Sequence, residues 1–390
     1  MPKLAREYNR SNHKYSYSNN DNHSVIHAEN HFHYEAIRRA PKRSRKKRNP
    51  VQSIIVLTIL LFVLFIAMPF TFNNVTKAIF QPTPYQNITT DLENLAFPTH
   101  KYLSNAWSFG KRDFRYADDK NALMEELNEN VSMPLLKSDL IDLAEIYPTV
   151  KPSIYVWDYE TGNYVDINGS EIYSTASIIK IPVLIDVFKS IEAGQISLDD
   201  KIPLTEYFRT EGSGSLQFRA ENSEYTIDKL AEIMITESDN SATNMLMTKV
   251  GSMTDVNQNL RHWGLKNTEV QTWLPDYKGN NHTTAKEMAR MLYNIDENDK
   301  FLTPSSRAKM LNYMGHVHNN RLIQAGLGAG SVFLHKTGDI GTMLGDAGIV
   351  ITPTGKKYIV VILAKRPHNA YEGKEFIVKA SEIIYNYMVR

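Results

Sequence analysis

A dense apolar run that begins at a serine is the strongest constraint on how this chain can fold. After Tyr173-Ser174-Thr175-Ala176-Ser177, the residues Ile178, Ile179, Ile181, Val183, Leu184, Ile185, Val187, Phe188 and Ile191 lead to Gly194. The run is too dense for a one-sided stripe and ends at a glycine suited to a helix C-terminus, so it predicts a buried helix. A helix starting near Ala176 leaves the Ser177 N–H without an intrahelical acceptor, above the positive end of the helix dipole. Lys180, three residues on, stands over Ser177 with about 5–6 Å between Cβ atoms. Burial disfavours the ammonium form, which gives Lys180 a free amine able to take the serine proton. Pro182 inside the run breaks a local rule, as residues near functional sites do. Ser-x-x-Lys alone carries little, since it recurs at Ser11, Ser44, Ser108 and Ser306.

A second apolar run has a different character. Ile54 to Phe72 is 19 residues without a charge, just enough at about 1.5 Å per residue to cross a bilayer. Arg38, Arg39, Lys42, Arg43, Arg45, Lys46, Lys47 and Arg48 precede it with no acid among them. That flank predicts a cytoplasmic N-terminus and an extracytoplasmic remainder, and the run lies too far from Met1 for an ordinary signal peptide. The expected organisation is a disordered basic tail over 1–50, a signal-anchor over 53–72 in contact with membrane lipid, a stalk or accessory segment over 73–133, and a catalytic domain over 134–390. The histidines of the tail, His23, His27, His31 and His33, reflect its composition rather than a metal cluster.

Charge is balanced, with 44 Lys+Arg against 43 Asp+Glu, so neither nucleic acid nor an acidic substrate is implied. With no cysteine, disulfides, thiolate metal sites and cysteine nucleophiles are excluded together.

Within the last 250 residues the periodicity is clear. Leu140, Leu143 and Ala144 mark a helix with Ser138 as its expected cap. Ser153 to Asp158 and Tyr164 to Ile167 flank the turn Tyr159-Glu160-Thr161-Gly162-Asn163 as a hairpin. Thr226 caps a helix over Ile227 to Ile235, and Ser241 to Val250 forms another, with Ser238 as an alternative cap. Thr284 and Glu287 form a capping box. Ser331 to Thr337, Ala347 to Thr352 and Tyr358 to Ala364 read as antiparallel strands, and Gly373 to Tyr387 as an amphipathic closing helix. Strands at both ends with helices between predict an α+β fold: an antiparallel sheet flanked by helices, plus an all-helical subdomain, preceded by one transmembrane helix.

Three short stretches stand in order: Ser177-Ile178-Ile179-Lys180, Ser238-Asp239-Asn240 and Lys336-Thr337-Gly338, 61 and 98 residues apart from first to second and second to third. Through these motifs, and the elements around them, the chain from about Met133 resembles class A serine β-lactamases and penicillin-binding proteins. The resemblance implies an acyl-enzyme on Ser177, with Lys180 as base or relay and Ser238 passing a proton to the leaving nitrogen between Lys180 and Lys336. It implies that Asn240 holds the substrate amide, that Lys336 and Thr337 bind its carboxylate along an edge strand, and that Gly338 permits close approach. The oxyanion hole would be the N–H groups of Ser177 and Asp339. No metal and no cofactor is called for.

The resemblance fails in one loop. Class A β-lactamases free the acyl-enzyme with a glutamate in Glu-x-x-Leu-Asn, and Gly264 to Asp276 contains no such pattern; Leu274 stands at the expected place, Glu269 lies too early, and Asp276 is the only other nearby carboxylate. Asp339 also replaces the small residue usual after that glycine, and if it faced the cleft it would repel a substrate carboxylate by roughly 1 kcal/mol. The leading expectation is a membrane-anchored extracytoplasmic serine hydrolase that opens β-lactams. The alternatives are a D-Ala-D-Ala peptidase-like, penicillin-binding wall protein with slow deacylation, and a degenerate wall-binding module.

Overall fold

The computed structural model describes residues 123–390. The basic tail, the expected anchor at 53–72 and most of the expected stalk lie outside the described residues. Among the described residues no helix is long and apolar enough to cross a membrane.

One five-stranded antiparallel sheet, in the order β2-β1-β9-β8-β7, organises the domain. Its strands are β1 (Lys151–Asp158), β2 (Tyr164–Ile167), β7 (Val332–Asp339), β8 (Met343–Ile351) and β9 (Lys357–Lys365). The period-two alternation of each strand divides its side chains between two cores. Ile154, Val156, Tyr358, Val360 and Ile362 face the terminal helices α1 (Pro134–Ile146) and α8 (Glu372–Met388). Tyr155, Trp157, Ile359, Val361 and Leu363 face the helical side. That side comprises α2 (Lys180–Glu192), α3 (Ile227–Thr236), α4 (Asn240–Lys249), α5 (Met253–His262), α6 (Ala285–Glu297) and α7 (Pro304–Met314). Two short pairings, β3 (Tyr173–Ser174) with β6 (His282–Thr283) and β4 (Lys201–Pro203) with β5 (Glu224–Thr226), complete the fold. The expected α+β architecture with a helical subdomain is present.

Eleven of the thirteen residues of α2 are buried, so this helix is enclosed on every side, as its apolar density requires. Truncation of Leu184, which is fully buried, would cost about 2–5 kcal/mol. Pro182 occupies the first turn of α2, where its missing N–H costs no intrahelical bond; the apparent broken rule is a helix start. The preceding turn, Ala176–Ile179, is a 3-10 helix.

Several boundaries differ from expectation. Helix α1 starts at Pro134 after Met133, so Ser138 lies inside it instead of capping it. Residues 123–133, expected in the stalk, belong to the domain: Met124 and Met133 are buried, and Arg290 donates to the carbonyls of Met124, Glu125 and Gly264. Thr226 and Thr284 do cap α3 and α6. Glu287, however, does not complete a capping box but accepts from Lys266 N, Asn267 N and the Thr268 hydroxyl, pinning the 266–268 loop to α6.

Candidate active site

The three motifs converge from the front of α2, the α3–α4 junction and edge strand β7. Ala176, just before the nucleophile position, has φ of +45°, and Ser238 has φ of +60°. Left-handed backbone at non-glycine residues costs energy and persists only where its surroundings hold it. At Ala176 the restraint is a bond from Thr175 N to Asn281 O (2.9 Å) together with the 3-10 bond from Ile178 N to Thr175 O (3.0 Å). At Ser238 it is the neighbouring Asp239, whose carboxylate caps α4 through Ala242 N and also accepts from Leu216 N, both at 2.8 Å. Asp239, and not Ser238, is therefore the cap of α4, which frees the Ser238 hydroxyl. Burial pushes the Asp239 carboxyl upward, against those two N–H groups.

Lys180 Nζ lies 2.9 Å from Ser177 Oγ, 3.1 Å from Ser238 Oγ, 2.7 Å from Ser238 O and 2.8 Å from Asn240 Oδ1. Asn240 Nδ2 donates to Glu211 O at 3.1 Å, which fixes the amide with its oxygen toward the lysine. Four oxygens surround a nitrogen that has at most three protons to give. The carbonyl and the amide oxygen can only accept, so a neutral amine donates to those two and turns its lone pair to the serine hydroxyls. Burial, and then the charge of Lys336, drive the Lys180 pKa well below its ordinary value, toward that neutral form. Lys336, fully buried, donates to Ser238 Oγ (3.0 Å) and Thr337 O (2.9 Å), and burial lowers its pKa to about 7, with Asp346 opposing. Ser238 Oγ thus bridges two lysine nitrogens.

Strand alternation places Lys336 and Gly338 on the face turned to Ser177, and Thr337 and Asp339 on the face turned to α8. A Cβ on Gly338 would lie 2.7 Å from Thr175 O and 3.1 Å from Ala176 Cβ. The glycine therefore lets β7 sit against the turn that carries Ser177. Asp339 is half exposed. Its Oδ1 accepts from Gly341 N (2.8 Å) in the β7–β8 turn and from Arg366 Nη2 (2.7 Å), just past β9, so its charge is paired. Asn240 offers a substrate only its second Nδ2 proton.

Ser177, Ser238, Lys336, Thr337, Gly338 and Asp339 line one cleft of about 500 Å³. Its other walls escaped the sequence reading: Ser213 to Ser215 with the exposed Phe218 on one side, Val317 to Asn319 on the other. No motif marks these segments. A buried pair behind β7 was missed too: His335 Nδ1 and Asp346 Oδ1 are 2.8 Å apart, and Asp346 Oδ2 accepts from Ile323 N, tying the second wall to the sheet.

The loop expected to hold a deacylating acid is closed to the cleft. The Leu274 N–H and carbonyl both bond to the side chain of Asn244, and Leu274 is buried. Asp276, the suspected substitute, is also buried, and its two oxygens accept from Asn280 N and Asn281 N at 3.0 and 2.7 Å. Glu269 pairs its backbone with His282 and its carboxylate with Gln271. The acids that do line the cleft are Glu237 and Asp339, neither from this loop.

Comparison with known proteins agrees with this geometry. Residues 135–388 match the model of the β-lactamase enzyme family. The chain belongs to that family. It is a class A β-lactamase-like serine hydrolase. Among curated relatives, the extended-spectrum β-lactamase PER-1 of Pseudomonas aeruginosa is 23% identical over 261 residues, covering 63% of this chain and 84% of its own. ROB-1 of Haemophilus influenzae is 26% identical over 254 residues, covering 61% and 79%. Among solved structures, a leucine-to-glutamate mutant of PBP-A, captured as an acyl-enzyme with penicillin G, superposes with TM-score 0.65 at 34% identity over 66% of this chain and 98% of that one. A β-lactamase from Sphaerobacter thermophilus shares the fold at 24% identity, with TM-score 0.59, covering 65% of this chain and 97% of that one.

Proposed function

We propose that this protein is a membrane-anchored, extracytoplasmic, penicillin-binding acyl-hydrolase that acts on D-Ala peptides of the cell wall, and that β-lactams acylate it and leave slowly. The observation that carries the reading is the contrast between a complete Ser177-Lys180-Ser238-Lys336 cluster and a facing loop whose acids are bonded into the loop itself. In the forward step, the Lys180 lone pair takes the Ser177 proton as Oγ attacks the carbonyl, and the N–H groups of Ser177 and Asp339 hold the oxyanion. The proton reaches the leaving nitrogen through Ser238, which Lys180 and Lys336 flank. Lys336 and the Thr337 hydroxyl hold the substrate carboxylate, and the second Nδ2 proton of Asn240 meets the acyl-side carbonyl.

The acyl-enzyme then lacks a carboxylate placed to activate water from the 264–276 loop. A leucine-to-glutamate mutant of PBP-A, 34% identical to this chain in the same fold, has been captured with penicillin G as an acyl-enzyme, which supports acylation by penicillins. The anchor reading rests on the uncharged run 54–72 and its eight flanking cations. Intact-mass measurement of residues 123–390 mixed with excess benzylpenicillin tests the enzymatic part. A lasting adduct of one drug molecule is expected, and rapid drug loss with only a transient adduct would instead establish a β-lactamase. Fractionation of the full chain with membranes, abolished by deleting 53–72, tests the anchor.

A further inference from the structure

Beside the cleft lies a second hollow of about 370 Å³, on the face of β7 turned to α8. The two spaces share His318, Asn319, Asp339 and Leu344 in their linings, so they lie side by side. Asn319 Nδ2 donates to Thr337 Oγ1 at 3.4 Å, which places the mouth of the hollow one side chain beyond the threonine hydroxyl. Its charge is one-sided. Arg321, Arg366 and Lys374 line it, with Asp339 as its one acid. Arg366 neutralises that acid and is held rigidly, with Nε on Gly341 O (2.9 Å) and Nη1 on Ala370 O (3.0 Å). Arg321 and Lys374 enter no ion pair among the described residues, so two unbalanced cations face the space.

We infer that this hollow is a subsite for a second anionic group on the leaving half of the substrate, such as the side-chain carboxylate of an acidic leaving residue. The inference rests on the function proposed above, because it takes the first carboxylate to be bound at Lys336 and Thr337. With that carboxylate at the threonine hydroxyl, whatever extends past it enters the hollow. Two cations in a partly enclosed space attract an anion more than they would in open water, and salt weakens the attraction.

The test uses two cephalosporins that differ only in the arm on the ring carbon next to the carboxylate-bearing one, ending in a carboxylate in one and in its methyl ester in the other. Second-order acylation of Ser177 is followed by intact mass. The charged arm is expected to react about tenfold faster at low salt, with the preference shrinking as salt rises and vanishing in the double variant Arg321→Ala, Lys374→Ala. Equal rates for the two compounds in the wild-type protein would overturn the subsite while leaving the proposed function intact. So would a double variant whose loss falls equally on both, since that is a general field on the first carboxylate. Retention of the preference in the double variant also overturns it. Acylation by neither compound would overturn the proposed function, and the subsite with it.

Discussion

The catalytic cluster and the 264–281 segment are built to different standards. Around Ser177, each polar atom points at another that chemistry needs: Lys180 at both serine hydroxyls, Lys336 at Ser238, Asn240 at Lys180. The 264–281 segment is equally well bonded, but to itself and to the helices it packs on: Asn281 accepts from Gln271 N and Thr272 N, Asp276 from Asn280 N and Asn281 N, and Leu274 is clasped by Asn244 of α4. One side has its hydrogen-bonding capacity arranged for proton transfer, and the other has spent it on rigidity. On the function proposed above, the difference leaves a framework complete for making an acyl-enzyme and incomplete for breaking one.

The comparison breaks first at the nucleophile. Ser177→Ala removes the only atom that can carry the acyl group, so the penicillin adduct should vanish and turnover fall by roughly 10⁴-fold or more; an adduct of undiminished yield by intact mass would refute the assignment. The loop comes next. Leu274→Glu puts a carboxylate where the loop has none, and the acyl-enzyme half-life should shorten on the order of 10²-fold, the low end of general-base catalysis. An unchanged half-life would mean that the loop cannot admit the water.

The pH dependence sharpens the other side. Lys336 has its pKa lowered to about 7, so it is charged below that value and loses its proton above it. A carboxylate substrate needs the ammonium, and the second-order acylation rate should therefore fall about tenfold per pH unit above roughly 7, since it reports the free enzyme. An ester substrate without a carboxylate should lack this limb. If both show it, the titration belongs to the proton relay instead. The smallest effect is expected at Asp276→Ala. The buried Asn281 N–H loses its acceptor, at about 1–3 kcal/mol, and the more exposed Asn280 N–H turns to water, while deacylation stays within about twofold. Thermal unfolding and adduct lifetime measured together separate the two, and a markedly longer lifetime would restore Asp276 as a catalytic group.

Much of this was legible in the chain because its signals are local. Ser177 and Lys180 share a helix face by spacing alone, the hairpin turn at Gly162 has the expected left-handed φ of +68°, and the alternation of β1, β8 and β9 assigns each side chain to a core. Thr226 and Thr284 cap the helices they precede because a cap needs only its own next turn. What local rules assign to Glu287, a capping box, the fold reassigns to loop 266–268, because a carboxylate bonds the N–H groups brought to it from elsewhere.

The sequence by itself determined the identity and order of the three motifs, the α+β class and the absence of a Glu-x-x-Leu-Asn pattern, since each is a matter of residue type and short-range spacing. Only the tertiary structure decided that Gly338 yields to Thr175 and that Asp339 is neutralised by Arg366. It alone brought Arg321 and Lys374 to one hollow from segments about fifty residues apart. Such outcomes depend on the distance and burial of groups remote in the chain, and electrostatics and packing act on those distances, not on position in the sequence.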